Sequence, residues 1–160
     1  MPLSTMGIAH QIVSSLYTYR VDNLGTVNDC KVVVNHLIRK FSEPLTKEGL
    51  QKQYKSTLLK EGDKVIKEHL IPVKEIMETL LELNLDEPKF ELAEQIHQFL
   101  TEALVIVRVS EAEDAILNKQ GFQQKMPASY RDSNSVLHND IWARYKSAGI
   151  YGNICLSVGD

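Results

Sequence analysis

Arg131 and His138 are the first candidates in this chain for residues whose types and spacing could do chemistry. A planar guanidinium forks onto phosphate oxygens, and an imidazole titrates near neutral pH and can move a proton. Asp132 follows the arginine directly, and six residues separate Arg131 from His138. A few residues later come Trp142, Arg144 and Tyr145. These types are over-represented among the side chains that dominate binding energies, which makes the three candidate binding residues.

The Arg131-Asp132…His138 spacing resembles the R-x4–6-H motif of the HEPN superfamily, whose members are small, all-helical, often dimeric and metal-independent. The resemblance implies an endoribonuclease. Arg131 would steady the scissile phosphate, His138 would act as general acid–base, RNA would be the partner, and two motifs would meet across a dimer. It covers eight residues of the 160.

Three further constellations are weaker. Glu94 and His97 have the Glu-x-x-His spacing that places both side chains on one helix face, as in di-iron bundles. With His69 they are the candidate metal ligands, but a di-iron centre needs a second such pair and none occurs. His10 and His36 fall on other predicted helices. Glu68-His69-Leu70-Ile71-Pro72 resembles the start of an HNH nuclease motif, with Asn134 and His138 as later members. The gap is too long for a compact metal-binding element, and His69 reads as helical. Arg39, Lys40, Lys47, Lys52, Lys55 and Lys60 form a basic stretch that includes Tyr54 and suits phosphates, or simply a solvated helix face. Glycine-rich phosphate loops and the G-x-S-x-G elbow are absent.

Composition bounds the rest. Hydrophobic residues make up 43% and charged residues 24%, the balance of a folded globular domain. No apolar run reaches the roughly 20 residues of a membrane span. MPLSTMGIAHQ lacks the pattern of a secretory signal. Cys30 and Cys155 form no C-x-x-C, Cys30 sits on an apolar helix face, and a reducing cytoplasm fits both. The net charge of −3 is unevenly distributed. Residues 1–60 carry eight Lys/Arg against four Asp/Glu, residues 61–114 five against fourteen, and residues 115–160 five against three.

The elements that would position these residues read mainly as helices. The first runs from Met6 to Tyr19 and ends before Gly25. Thr26 caps a second with Asp29 completing a capping box, and Val27, Cys30, Val33, Val34, Leu37, Ile38 and Phe41 line one face until Pro44 stops it. A third is expected from Thr46 through Tyr54 and Leu58 toward Lys60. Others are expected through Val65, Ile66, His69 and Leu70, through Val73 to Asn84, and from Pro88 to Leu104. Ser110-Glu-Ala-Glu113 is a second capping box, so 104–109 is expected to be extended, with a short helix over 111–120 closed by Gly121. The last helix is expected over Ser133 to Lys146. Ile154, Cys155, Leu156 and Val158 are expected to pair as a strand with 104–109.

The fold class implied is mainly α: a single-domain bundle of about six helices over 1–160, with a small two-stranded β element near the C-terminus. Residues 1–102 form the scaffold and 103–160 a mixed region. Val33, Val34, Leu37, Ile38, Ile66, Ile76, Leu80, Ile96 and Leu100 are the expected core. The function implied is a non-catalytic helical binding or adaptor protein. It would act through protein contacts, as a homo-oligomer, without cofactor or membrane. The HEPN-like ribonuclease using Arg131 and His138 is the alternative.

Overall fold

The structure is a computed structural model that describes residues 4–157. The chain folds as two compact units, one of residues 1–51 and 76–102, the other of residues 52–75 and 103–160.

The first unit is helical. Helix α1 (Thr5–Arg20) starts at Ser4, whose side chain accepts from the Gly7 N–H. Helix α2 (Val27–Lys47) starts at Thr26, where the expected capping box forms: Thr26 Oγ1 accepts from the Asp29 N–H, and Asp29 accepts from the Thr26 N–H. The two helices pack together. Ile8, Ile12, Val13 and Leu16 on α1 are buried, as are Val34, Leu37, Ile38, Phe41 and Leu45 on α2. Cys30 is buried too, and burial pushes its thiol pKa up. Helix α3 (Val73–Leu81) contributes buried Ile76 and Leu80 to this unit. Helix α4 (Lys89–Ala103) contributes Leu92, Ala93, Ile96 and Leu100.

Two expectations fail here. Pro44 lies inside α2 rather than ending it. A proline removes one backbone donor, but the fully buried Leu45 keeps the last turn anchored. Val33 is 45% exposed because α2 turns it outward and packs through Val34, Leu37, Ile38 and Phe41.

The second unit overturns the expected fold class. It is built on a four-stranded mixed sheet, ordered β2-β3-β1-β4, rather than a helical bundle with a two-stranded element. Strand β1 (Gln53–Ser56) occupies the segment expected to be the third helix. Strand β2 (Val65–His69) occupies the segment in which His69 read as helical. Both are short and polar along one side, so their identity comes from the ladders on either side of them rather than from propensity. Strand β3 (Ile106–Ser110) is extended as expected. It does not pair with the C-terminal strand: it lies between β2, antiparallel, and β1, parallel. Strand β4 (Ile154–Leu156) pairs antiparallel with β1. Val158 lies outside the described residues. Parallel pairing demands a long crossover, and the chain between β1 and β3 supplies one.

Helix α5 (Glu111–Lys119) follows β3 without a loop. Ser110 ends the strand and caps the helix through the expected box with Glu113. The last expected helix is mostly turns. Only α6 (Ala143–Ala148) is helical, closed by Gly149 at φ 76°, a backbone conformation that favours glycine. The side chains of α5 and α6 cover one face of the sheet, where Val107, Val109, Leu117, Tyr145 and Ile150 are buried. Ile66, expected as core, is only partly buried at its margin.

With this face of α2 buried, Ile38→Ala should cost about 2–5 kcal/mol and Val33→Ala no more than about 0.5 kcal/mol. Denaturant unfolding of the two variants reads the difference directly. Equal losses would mean that α2 presents a different face.

Candidate functional site

The C-terminal residues that read as a binding surface are interior. Arg144 is 1% exposed and Tyr145 is fully buried. Alternation along β2 sends Ile66 and Glu68 to the helix-covered face, and Glu68 meets Arg144 there. Arg144 Nη2 donates to Glu68 Oε2 at 2.8 Å and to the carbonyls of His69 and Leu70. Its Nη1 donates to the Phe122 carbonyl at 2.6 Å. One side chain thus ties the end of β2, the turn after α5 and α6 together. Trp142 is partly buried and stacks edge-on against Tyr54, Tyr145 and Tyr151, with centroids 4.9, 5.6 and 5.4 Å away. These three residues build the core of the unit. Arg144 and Tyr145 are closed to solvent and Trp142 is half-buried beside them; the local signal, an aromatic–Arg–aromatic cluster, is the same in a core and at an interface.

Two carboxylates in this unit carry opposite pKa shifts. Burial pushes Glu68 above the usual range, against the pull of Arg144, and the neighbouring Asp114 adds to the rise. Burial also penalises Glu113, but hydrogen bonds from the Ser110 backbone, Ser56, the Ser110 hydroxyl and Asn153 outweigh it and hold Glu113 below the usual range. Ser56 Oγ donates to Glu113 at 3.0 Å and Asn153 Nδ2 at 3.2 Å, so this capping carboxylate also bridges β1 and the turn before β4. The buried Tyr145 hydroxyl has no hydrogen-bond partner among the described residues. Burial and the Glu68 charge push its pKa up.

The residues of the ribonuclease reading are not brought together on one helix. Arg131 follows a 3-10 turn at Ala128–Tyr130, and its Nη2 pairs with Glu75. The Glu75 carboxylate also accepts from the Met126 N–H at 3.2 Å, pinning the loop. His138 is exposed in a run of turns, and its N–H donates to the Ser135 carbonyl. Asp132 accepts from the Asn134 N–H within the same run.

The metal candidates are divided. His69 ends β2 in the second unit, while Glu94 and His97 lie on α4 in the first. Among the described residues no group of three His, Cys, Asp or Glu is placed to hold a metal ion. His97 has a different task. The Thr5 hydroxyl donates its one proton to Glu48 at 2.8 Å, so its contact with His97 Nε2, also 2.8 Å, is one in which the imidazole donates. Glu48 also accepts from the Thr5 N–H at the start of α1. Helices α1 and α4 and the end of α2 are tied through one buried threonine.

Two surfaces escaped the sequence reading. The first is a groove of about 370 Å³ in the first unit, between α1 and α2. Ile8, Leu37 and Pro44 give it an apolar lining, and Gln11, His36, Lys40, Glu43 and Lys47 complete it. Lys47 is held by Glu43 at 3.0 Å, and that carboxylate is accordingly shifted below its usual range. The second is the sheet face opposite α5 and α6. Its register aligns Lys67 of β2 with Arg108 of β3, and Arg108 with Lys55 of β1.

Arg144→Met should cost about 3–5 kcal/mol, because it strands a buried Glu68 and three carbonyls, and Glu68→Leu added to it should recover part of the loss. Chemical denaturation of the single and double variants checks this. Recovery of nothing would show that the carbonyl contacts dominate.

Acid stability should depend on Glu113. Its lowered pKa contributes stability that is present above the unfolded carboxylate pKa and lost as pH falls through the folded one. Glu68 works the other way, with its contribution present at low pH and lost as pH rises through its raised pKa. Glu113→Gln should therefore flatten the acid limb of a stability–pH profile, while Glu68→Gln leaves that limb in place. No family model matches the chain, and no curated protein or solved structure matches it either.

Proposed function

We propose that this is a non-catalytic binding protein that assembles with copies of itself through protein contacts. The observation that supports this reading is a matched pair of surfaces on the helical unit. The groove between α1 and α2 is lined by Ile8, Leu37 and Pro44 together with Lys40 and the Lys47–Glu43 pair. On α4, Phe90 is 59% exposed, with Glu91 beside it, Glu94 one turn on and Glu87 just before the helix, all three exposed. An exposed aromatic with three acids and Lys89 around it suits an apolar groove that carries Lys40 beside the Lys47–Glu43 pair, chiefly for the area that it buries. The occupant is Phe90 of a second copy.

Knob and groove are different surfaces, so the contact either repeats twice across a two-fold dimer or builds a ring or an open chain. Two unpaired cysteines, Cys30 and Cys155, suit a reducing cytoplasm. No helix among the described residues is long and apolar enough to cross a membrane.

Sedimentation and light scattering test the proposal. The protein should run larger than a monomer. Phe90→Ala should weaken assembly by about 30-fold, as expected for a side chain worth about 2 kcal/mol at an interface. Lys40→Glu should also dissociate it, and Glu94→Lys in the same chain should restore it. A protein that stays monomeric, or assembly indifferent to Phe90, would defeat the reading.

A further inference from the structure

We propose that the outer edge of β2 pairs with the same edge of a second copy, joining two four-stranded sheets into one across a two-fold axis. Strand β2 stands at the end of the strand order, and β3 is its one partner among the described residues. The ladder shows which of its backbone groups face outward. The Leu70 N–H donates to the Val105 carbonyl at 2.9 Å, and these two residues continue the β2–β3 register by one step. In an antiparallel pair, residues that bond to the partner strand alternate with residues that bond away from it. Leu70, Glu68 and Ile66 therefore bond to β3, while Val65, Lys67 and His69 turn their backbone groups outward. Arg144 takes the His69 carbonyl. Among the described residues no hydrogen bond reaches the outward groups of Val65 and Lys67. Both residues are exposed, Val65 by 44%. The Lys67 side chain does not block the edge, because side chains stand roughly perpendicular to a sheet.

The open groups of this edge complement one another in one register. With Ile66 of each copy at the axis, Val65 lies opposite Lys67 of the second copy. Each such pair exchanges two N–H···O bonds, so the two pairs use every open donor and acceptor of Val65 and Lys67 on both edges. The two Ile66 residues then form the closer, non-hydrogen-bonded kind of pair, with Cα atoms about 4.5 Å apart. Ile66 is only partly buried where it packs at the margin of the sheet's core. A second Ile66 covers it and makes that core continuous from one copy to the other. The neighbouring registers are worse. A step one way sets Lys67 against Lys67, and like charges directly opposite destabilise a sheet. A step the other way separates the isoleucines and sets Ile66 against Lys64. In the proposed register Lys64 falls opposite Glu68 of the second copy. Each already has a partner in its own chain, Glu111 and Arg144, so this pairing avoids repulsion without adding a new bridge. A second copy is also favoured over a loose peptide because its β2 is already extended and loses no chain freedom on pairing. The contact lies in the sheet unit and does not rest on Phe90 or the groove of the helical unit.

The test uses the full chain carrying Phe90→Ala, which removes the other contact. Sedimentation should still show a dimer that dissociates on dilution. Adding Lys67→Pro should raise its dissociation constant at least about tenfold, because each copy loses an outward N–H. Proline is accepted on an edge strand where the N–H faces solvent, so thermal melting of the dilute monomer should stay close to that of the parent. A second variant fixes the register. Ile66→Cys combined with Cys155→Ser should form a disulfide between copies under a mild oxidant, since the paired Cα atoms lie within disulfide range. Lys67→Cys in the same background should not.

The proposal is overturned if the Phe90→Ala protein stays monomeric at its highest soluble concentration. It is also overturned by a dimer indifferent to Lys67→Pro, or by cross-linking through Lys67→Cys in preference to Ile66→Cys. Assembly that disappears with Phe90→Ala alone sinks this inference and leaves the Phe90 contact standing. Assembly that ignores Phe90→Ala and falls apart with Lys67→Pro does the reverse.

Discussion

The second unit depends on a buried guanidinium. Arg144 is almost fully removed from water, and a charge in that position is tolerable only if it is paired and hydrogen-bonded. Glu68 and the carbonyls of His69, Leu70 and Phe122 satisfy its two terminal nitrogens, while Nε has no hydrogen-bond partner among the described residues. The three carbonyls lie at the end of β2, just beyond it and in the turn after α5, where regular structure stops. The arginine does for these chain ends what a hydrogen-bond ladder does elsewhere. A lysine would not replace it, because a point charge cannot address two separate segments of chain in one plane. Around this hub, Trp142 wedges between tyrosines from β1, α6 and the turn before β4, so the aromatic packing and the polar hub close the same side of the sheet.

Each unit also solves a junction with a carboxylate serving two purposes. Glu113 completes a capping box at the start of α5 and accepts from Ser56 and Asn153. Glu48 accepts from the first N–H of α1 and fixes the threonine that His97 contacts. In both places the acid sits at a helix N-terminus, where unpaired N–H groups and the helix dipole favour negative charge. Local capping is thereby coupled to long-range packing. That coupling explains why these residue types look ordinary in sequence and matter in the fold.

What the sequence made legible follows the same division. The capping boxes at Thr26 and Ser110, the amphipathic face of α2 and the extended segment before α5 are local patterns, and all four appear in the structure. Strands β1 and β2 were not legible. Leu50, Tyr54 and Leu58 happen to recur every four residues, and Val65, Ile66, His69 and Leu70 happen to share a helical side. Three strands of four or five residues, far apart in the chain, became a sheet only through partners that no local window contains. The same limit applies to the candidate site. Trp142, Arg144 and Tyr145 stand out as unusual in the sequence, yet composition cannot tell a core arginine from an interface arginine. Only the position of Glu68, 76 residues earlier in the chain, decides it.

Charge shows why counting along the chain misled. The sequence read as basic at first, acidic in the middle and weakly basic at the end. The chain leaves the helical unit at Gln51 and returns to it at Ile76, so those blocks mix residues of both units. Counted by unit, the helical part carries six Lys/Arg against eleven Asp/Glu, and the sheet part twelve against ten. The basic stretch from Arg39 to Lys60 is likewise divided. Arg39, Lys40 and Lys47 belong to the net-acidic helical unit, while Lys55 lies in the sheet of the other, in register with Arg108. Long-range fields follow the summed charge of the body that carries them. The longest basic run in the sequence, which begins on α2, is therefore split between a net-acidic unit and a weakly basic one.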